Sequence, residues 1–524
     1  MLKRRQVVSG LCTLALPGVA TAQSRNVLRL VPRYGLATLD PVFTTDSVTR
    51  MCGLAVFESL YSVDENLVPK PQMAEGHVIE QDGRRWTIRL REGLRFHDGE
   101  AVLAKDCVAS ITRWMKRDLL SRSFAPRLDA LEAPDDRTLV IRLKQPFSHL
   151  PFALGKPLPN ILPIMPAYLA AADVGQPIQT LVGSGPFRFI PGEFSAGNFA
   201  AFAKFERYEA RDEPANGTAG GRHVLIDRVE WKAIPDPATA ASALITGEVD
   251  WLETPLPDLV PGLKSTRDVT VGQLDPYGYY SMLRLNHLQG PTADRAIRQA
   301  IMAAIDPVEI MQAFVGDDES LYTAPVGVFV PNVPSASSAG MERLGGKRSN
   351  AEVRALLRAA GYGGERLVAL HAVDNAFSNT VMQVVVARLR AVGMNLDDVA
   401  IDQGTLVQRR NSKEPLDKGG WSIMPVNPSG ADHLDPLVAL GLRTGAAAWV
   451  GWPENRRMEE LRTAWIDSND EGERRSLTIA IQEEALSEVV YIPLGRYFLP
   501  SAWRRGLSGI LNTTVPVFWN VRKA

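Results

Sequence analysis

Residues 90–114 read "LREGLRFHDGEAVLAKDCVASITRW". A histidine, acids, a lysine and a cysteine crowd into this stretch, as they would in an active site. Local chemistry gives each of them a plainer task. Arg95-Phe96 closes a strand, and His97-Asp98-Gly99-Glu100 makes a turn. Asp98 supplies a side chain that bonds nearby amides, and Gly99 is free to take a positive φ. A helix begins near Ala104. Ala104, Val108, Ile111 and Met115 then fall on one apolar face. Asp106 sits in the first turn, where an acid favours the helix dipole. Leu103 stands at the N-cap and has no acceptor to offer. Lys105 is expected in solvent, Cys107 at the border of the apolar stripe, and His97 packed or bonded at the turn. The stretch reads as a structural signature rather than a catalytic one.

On its N-terminal side, "GHVIEQDGRRWTIRL" (76–90) is strand, Asp82-Gly83 turn and strand. "RTLVIRLKQPF" (137–147) adds another alternating strand. Residues 67–180 therefore mix hairpins with helices. Beyond 275 the texture becomes helix–strand–helix. "DRAIRQAIMAAIDPVEIMQAF" (294–314) carries a helical apolar stripe broken at Asp306-Pro307. Strands alternating with helices predict an α/β architecture. At 524 residues, the chain is long enough for two or three lobes.

The N-terminus "MLKRRQVVSGLCTLALPGVATAQS" has a basic start, a short apolar run and Ala20-Thr21-Ala22, the plan of a secretory signal cut after Ala22. Arg4-Arg5 loosely resembles a twin-arginine signal. Removing residues 1–22 takes away Lys3, Arg4 and Arg5 and leaves a net charge of about −4, which argues against a nucleic-acid partner. Cys52 and Cys107 remain, either as one disulfide or as two small buried side chains. The seven histidines include no pair at i, i+4, so the HExxH zinc pattern is absent. GxSxG and Ser-x-x-Lys are also absent. "GMERLGGKRSN" (340–350) fails as a phosphate loop because the glycine spacing is off and Arg348 follows Lys347. This pattern favours binding over catalysis, with a secreted α/β hydrolase as the alternative.

Five blocks in order resemble one family. They are "TLDPVFTTD…VFESLYSVD" (38–64), the stretch 90–114, "GSGPFRFI" (183–190), "ALITGEVDWLE" (243–253) and "LRLNHLQGPTADRAIRQAIMAAIDPVEIM" (283–311). Together they are similar to the extracytoplasmic solute-binding proteins of ABC importers, family 5, the dipeptide, oligopeptide and nickel group. The resemblance implies a two-lobed periplasmic-binding-protein fold of type II with an extra subdomain, its mixed sheets joined by a hinge. After a signal peptide at 1–22, one lobe would comprise 23–66, 181–275 and 491–524. Residues 67–180 would form the extra subdomain and 276–490 the other lobe. The chain would be a periplasmic monomer that closes on a small-molecule or peptide ligand and delivers it to an inner-membrane ABC permease. No cofactor is implied.

The same resemblance points to cleft loops. Tyr34 follows the first strand, His371 and Asp374 lie in "HAVDNAFSN", and Trp421, Met424 and Asp432 lie in "WSIMPVNPSGADHLDP". Trp421 serves either lobe packing or the cleft. His371 and His433 suit surface or capping positions as well as ligand contact. Asp432 either meets a ligand or caps a turn. Trp449 and Trp452 either stack on a ligand or cover the lobe edge. Peptide binders often hold the ligand amine with an aspartate where this chain has Met424 to Asn427, and some hold the carboxylate with an arginine in the 371–378 loop. Both are missing here, so a peptide clamped at both termini fits less well than the family resemblance alone implies. A small peptide or peptide-like solute remains the expectation, with an opine, an oligosaccharide or a metal chelate as the alternative.

Overall fold

The computed structural model describes residues 26–344 and 348–524. The signal segment and Lys347 lie outside the described residues. Strand Val27–Val31 buries Leu28, Leu30 and Val31 and sits centrally in a seven-stranded mixed sheet. In spatial order the strands are 269–272, 501–504, 251–252, 27–31, 228–232, 199–204 and 187–189. The 27–31 strand runs parallel to both neighbours, 228–232 and 251–252. A second, six-stranded sheet has the order 322–323, 492–497, 279–285, 423–426, 366–372 and 395–401. Here 366–372 runs parallel to 395–401 and 423–426. The architecture is α/β with two mixed sheets, as the alternating texture of the sequence predicts.

Strand Ile492–Tyr497 pairs with Tyr279–Leu285 in the second sheet. A boundary at 490/491 assigns it to the other lobe and would cut that sheet. Sheet membership puts the final crossing at residues 498–500. The other crossing runs between strand Val269–Gly272 and strand Tyr279–Leu285.

Within 67–180, an antiparallel sheet of strands 74–80, 85–90, 138–143 and 128–132 carries helix Ala104–Met115. The helix buries Ala104, Cys107, Ile111 and Trp114 completely, while Val108 and Met115 are only half-buried. The buried stripe is thus rotated from the expected 104/108/111/115 face toward Cys107 and Trp114, whose Nε1 donates to Asn160 O at 2.8 Å. Cys107 and Cys52 are buried free thiols in separate cores. At the helix start, Asp106 Oδ2 accepts from the Leu103 amide at 2.9 Å and Oδ1 from the Ala167 amide at 2.8 Å. The acid thereby satisfies an amide at the helix entry and ties down a distant loop.

The turn before this helix is also an anchor. Gly99 has φ +99°. The His97 amide donates to Gly183 O at 2.8 Å, and its Nε2 lies 3.0 Å from Gly185 O. Gly185 in turn donates its amide to Val56 O at 2.8 Å. A Cβ there would fall 2.6 Å from the Val56 carbonyl carbon, so glycine is needed for the close approach. Farther along, Arg113 Nη2 reaches Asp40 Oδ2 at 2.6 Å, with both side chains buried. Three separate sequence blocks, at 38–64, 90–114 and 183–190, meet at this junction.

One apolar cluster continues from Trp86, Ile111 and Trp114 of the subdomain to Tyr280, Leu283 and Tyr497 of the second sheet. Polar contacts cross at the same boundary. Arg127 Nη2 meets Asp467 Oδ1 at 2.5 Å. The His149 ring stacks on Trp465 with centroids 5.4 Å apart and 12° between planes.

Candidate functional site between the two sheets

The carboxyl ends of the parallel strands of both sheets come together, the position at which open α/β sheets bind ligands. After Val31 the chain turns through Arg33-Tyr34-Gly35. A Cβ on Gly35 would lie 1.8 Å from Gly197 O, so the loop turns there only with glycine. The Arg33 amide donates to Glu253 Oε2 at 2.7 Å, which joins the ends of two adjacent parallel strands.

The Arg33 guanidinium lies 4.8 Å from the Tyr279 ring centroid. Tyr279 stacks on Tyr497 at 5.3 Å and 19°, and Tyr497 on Phe377 at 5.4 Å and 20°. Asn427 Nδ2 donates to Tyr497 Oη at 2.8 Å. A cation from the first sheet thus heads an aromatic column in the second. Burial opposes the Arg33 charge, but Tyr279, Tyr497, Tyr34 and Glu253 hold its pKa above the ordinary value.

Four carboxylates line the same region. Asp46 caps helix Ser47–Val56 by accepting from the Thr49 amide at 2.9 Å, and burial raises its pKa. Burial also raises Glu253, against the Arg33 amide bond. Asp275 is pushed to about 7 by burial, against the Tyr277 and Gly278 amides and the Arg50 charge. Asp432 is pushed to about 6 by burial, against the charges of Arg50 and Lys156. Asp275 and Asp432 share a neighbourhood because the Gly430 amide donates to Gly278 O at 2.7 Å. A Cβ on Gly430 would lie 2.2 Å from Tyr277 O, so glycine permits that approach. A cluster of carboxylates that resist charging suits a cationic ligand group.

Of the residues singled out from the sequence, Tyr34 and Asp432 lie in this region. Tyr34 Oη is 2.9 Å from Ser47 Oγ, and burial raises its pKa. The other seven serve the second sheet, its loops and its core. Trp421 and Met424 are fully buried in one apolar cluster on that sheet, and Trp421 Nε1 donates to Arg410 O at 3.0 Å. Trp449 packs against the same cluster, with the Arg284 and Arg410 guanidiniums 5.5 and 5.7 Å from its ring centroid. Trp452 packs beside it, its ring centroid 6.1 Å from that of Trp421. His371 is buried beside Asp398, whose Oδ1 lies 3.0 Å from Nδ1 but off the line of a hydrogen bond. Asp374 is exposed and accepts from the Gln403 amide at 2.8 Å. His433 stacks on Tyr280 at 3.9 Å, inside the core. Among the described residues, no group of three or more His, Cys, Asp or Glu is placed to hold a metal.

Sequence reasoning missed Arg33, Asp46, Arg50, Glu253, Asp275, Tyr279 and Tyr497. One signal was available: Glu253 ends the quoted block "ALITGEVDWLE", at the end of a strand flanking the first one. Nothing local marks Asp275 or Tyr497, which come together only through sheet pairing.

Comparison with known proteins agrees with this architecture. The family described as "Bacterial extracellular solute-binding proteins, family 5 Middle" matches residues 68–441. A probable peptide ABC transporter periplasmic-binding protein of Sinorhizobium fredii is 35% identical, over 98% of this chain and 97% of that protein. The glutathione-binding protein GsiB of Escherichia coli K12 is 26% identical, over 96% of this chain and 95% of its own. The solved structure of the binding protein AgaA from A. tumefaciens R10 with agropinic acid superposes with a TM-score of 0.78 at 20% identity, covering 95% of this chain and 99% of that one. These matches span both sheets and the subdomain between them, and the chain belongs to family 5 of the bacterial extracellular solute-binding proteins.

Proposed function

We propose that this protein captures a small peptide or peptide-like solute for an ABC importer by closing two lobes around it. Family membership supports the importer role. The observation that carries the ligand reading is the bipolar cluster between the sheets: Arg33 and Arg50 against Asp46, Glu253, Asp275 and Asp432, beside a column of aromatic rings. One lobe comprises 26–66, 181–275 and the chain after 498. Residues 67–180 form a subdomain, and 276–497 form the other lobe. The two crossings near 273–278 and 498–500 act as the hinge. A ligand that touches both lobes favours the closed form by its differential affinity.

In this reading residues 1–22 direct export to the periplasm, the protein acts as a monomer, and its partner is an inner-membrane permease. It binds without turnover. Peptides and glutathione, named for two of the relatives, carry amine and carboxylate groups, and these match the charges here. The test is mass spectrometry of small molecules released on denaturation, followed by a thermal-shift screen of dipeptides, glutathione and opines. A binding-competent solute raises the midpoint by mass action and reduces the radius of gyration in solution scattering. A molecule consumed over time by catalytic amounts of protein would refute the binding-only reading.

A further inference from the structure

The fold treats its buried cations consistently, with one exception. Arg113 is paired to Asp40, and Lys156 to Asp118 at 2.8 Å. Arg222, Arg284, Arg298, Arg443, Arg462 and Arg496 each donate at least one side-chain hydrogen bond. Arg50 is only 6% exposed, yet among the described residues it makes no side-chain hydrogen bond. Its Nε and Nη1 are buried without a partner, and none of the ion pairs within 4.0 Å among the described residues includes it. The four cleft carboxylates surround it at longer range, and Lys156 is the cation facing Asp432 from the subdomain. A buried guanidinium with no partner is costly, and its planar fork of donors matches a carboxylate.

We propose that Arg50, projecting from helix Ser47–Val56 into the region between the sheets, is the anion receptor of the site and takes a ligand carboxylate. This deepens the importer reading above and rests on it. The 371–378 loop contains no arginine, so the second lobe offers no guanidinium there. Placing the receptor on the first lobe leaves Asp275 and Asp432 to face the ligand's cationic end. The ligand class is then an amino acid derivative or short peptide with a free carboxylate.

The test compares glutathione and Ala-Ala with their carboxamide forms, by calorimetry, on wild type, Arg50→Gln and Arg50→Lys. Thermal unfolding of each variant confirms that it is folded. Wild type should bind at least one free acid, and bind it about tenfold or more tightly than its amide, the scale of one charge-assisted hydrogen bond. Arg50→Gln should bind acid and amide alike, and Arg50→Lys should keep part of the preference. If wild type binds acid and amide equally, or Arg50→Gln keeps the preference, the Arg50 assignment falls while the importer reading stands. If wild type binds neither free acid, the carboxylate ligand class falls and the assignment with it. If released-ligand analysis also shows no bound solute, the importer reading falls too.

Discussion

At the scale of single residues, the molecule separates charges paired within the fold from charges gathered in the proposed site between the sheets. The Arg113–Asp40 pair belongs to the first kind. Asp40 also accepts from the Val42 and Ile178 amides at 2.9 and 3.1 Å, so its carboxylate cannot escape to water. Arg113→Leu should therefore destabilise by about 3–5 kcal/mol, the cost of leaving a buried charge uncompensated, as read by urea unfolding. Asp275 belongs to the second kind. Its folded pKa of about 7 lies above the ordinary value of 3.8. The folded state thus holds the proton more tightly, and the wild type loses stability as pH rises from about 4 to 7. Asp275→Asn should match wild type near pH 4 and exceed it at pH 8 by on the order of 1 kcal/mol, measured by urea midpoints at both values. Asp432 was legible in the sequence as a candidate. Asp275 was not, since an acid before a proline in a loop looks like turn chemistry until burial changes its titration.

Among the elements, the 90–114 block shows how far local rules reach. Turn, helix start and amphipathic face all follow from residue types. The partners of that turn do not, because Gly183 and Gly185 lie some ninety residues away in sequence. Gly185→Ala should cost about 1–3 kcal/mol through forced displacement of the Val56 carbonyl, seen as a lower thermal midpoint. The stack of His149 on Trp465 joins the subdomain to helix Arg456–Asp467. His149 is held down to about 4 by burial and by the charges of Arg474 and Arg127. The contact is intact above the ordinary histidine pKa of 6.5 and weakens as pH falls toward 4. His149→Gln, which cannot charge, should lose less stability than wild type between pH 7 and pH 4.5, by on the order of 1 kcal/mol.

For the whole molecule, the contacts of Arg127 and His149 with Asp467 and Trp465 lie across the boundary that the proposed closure would bring together. Arg127→Ala removes the ion pair with Asp467. It should enlarge the ligand-free protein in solution scattering, with ligand restoring the compact form. The sequence by itself determined the α/β class, the order of blocks and the family, because periodicity, turn residues and glycine placement are local properties that survive in a linear string. It also offered Tyr34 and Asp432 as candidates. Only the tertiary structure decided that strand 492–497 joins the second sheet, that Trp421 and Met424 are core, and that Arg50 stands unpaired among four acids. Each of those facts depends on which distant segments pair and on how much water they exclude. A residue's charge state and partners are set by that environment, which no short window of sequence contains.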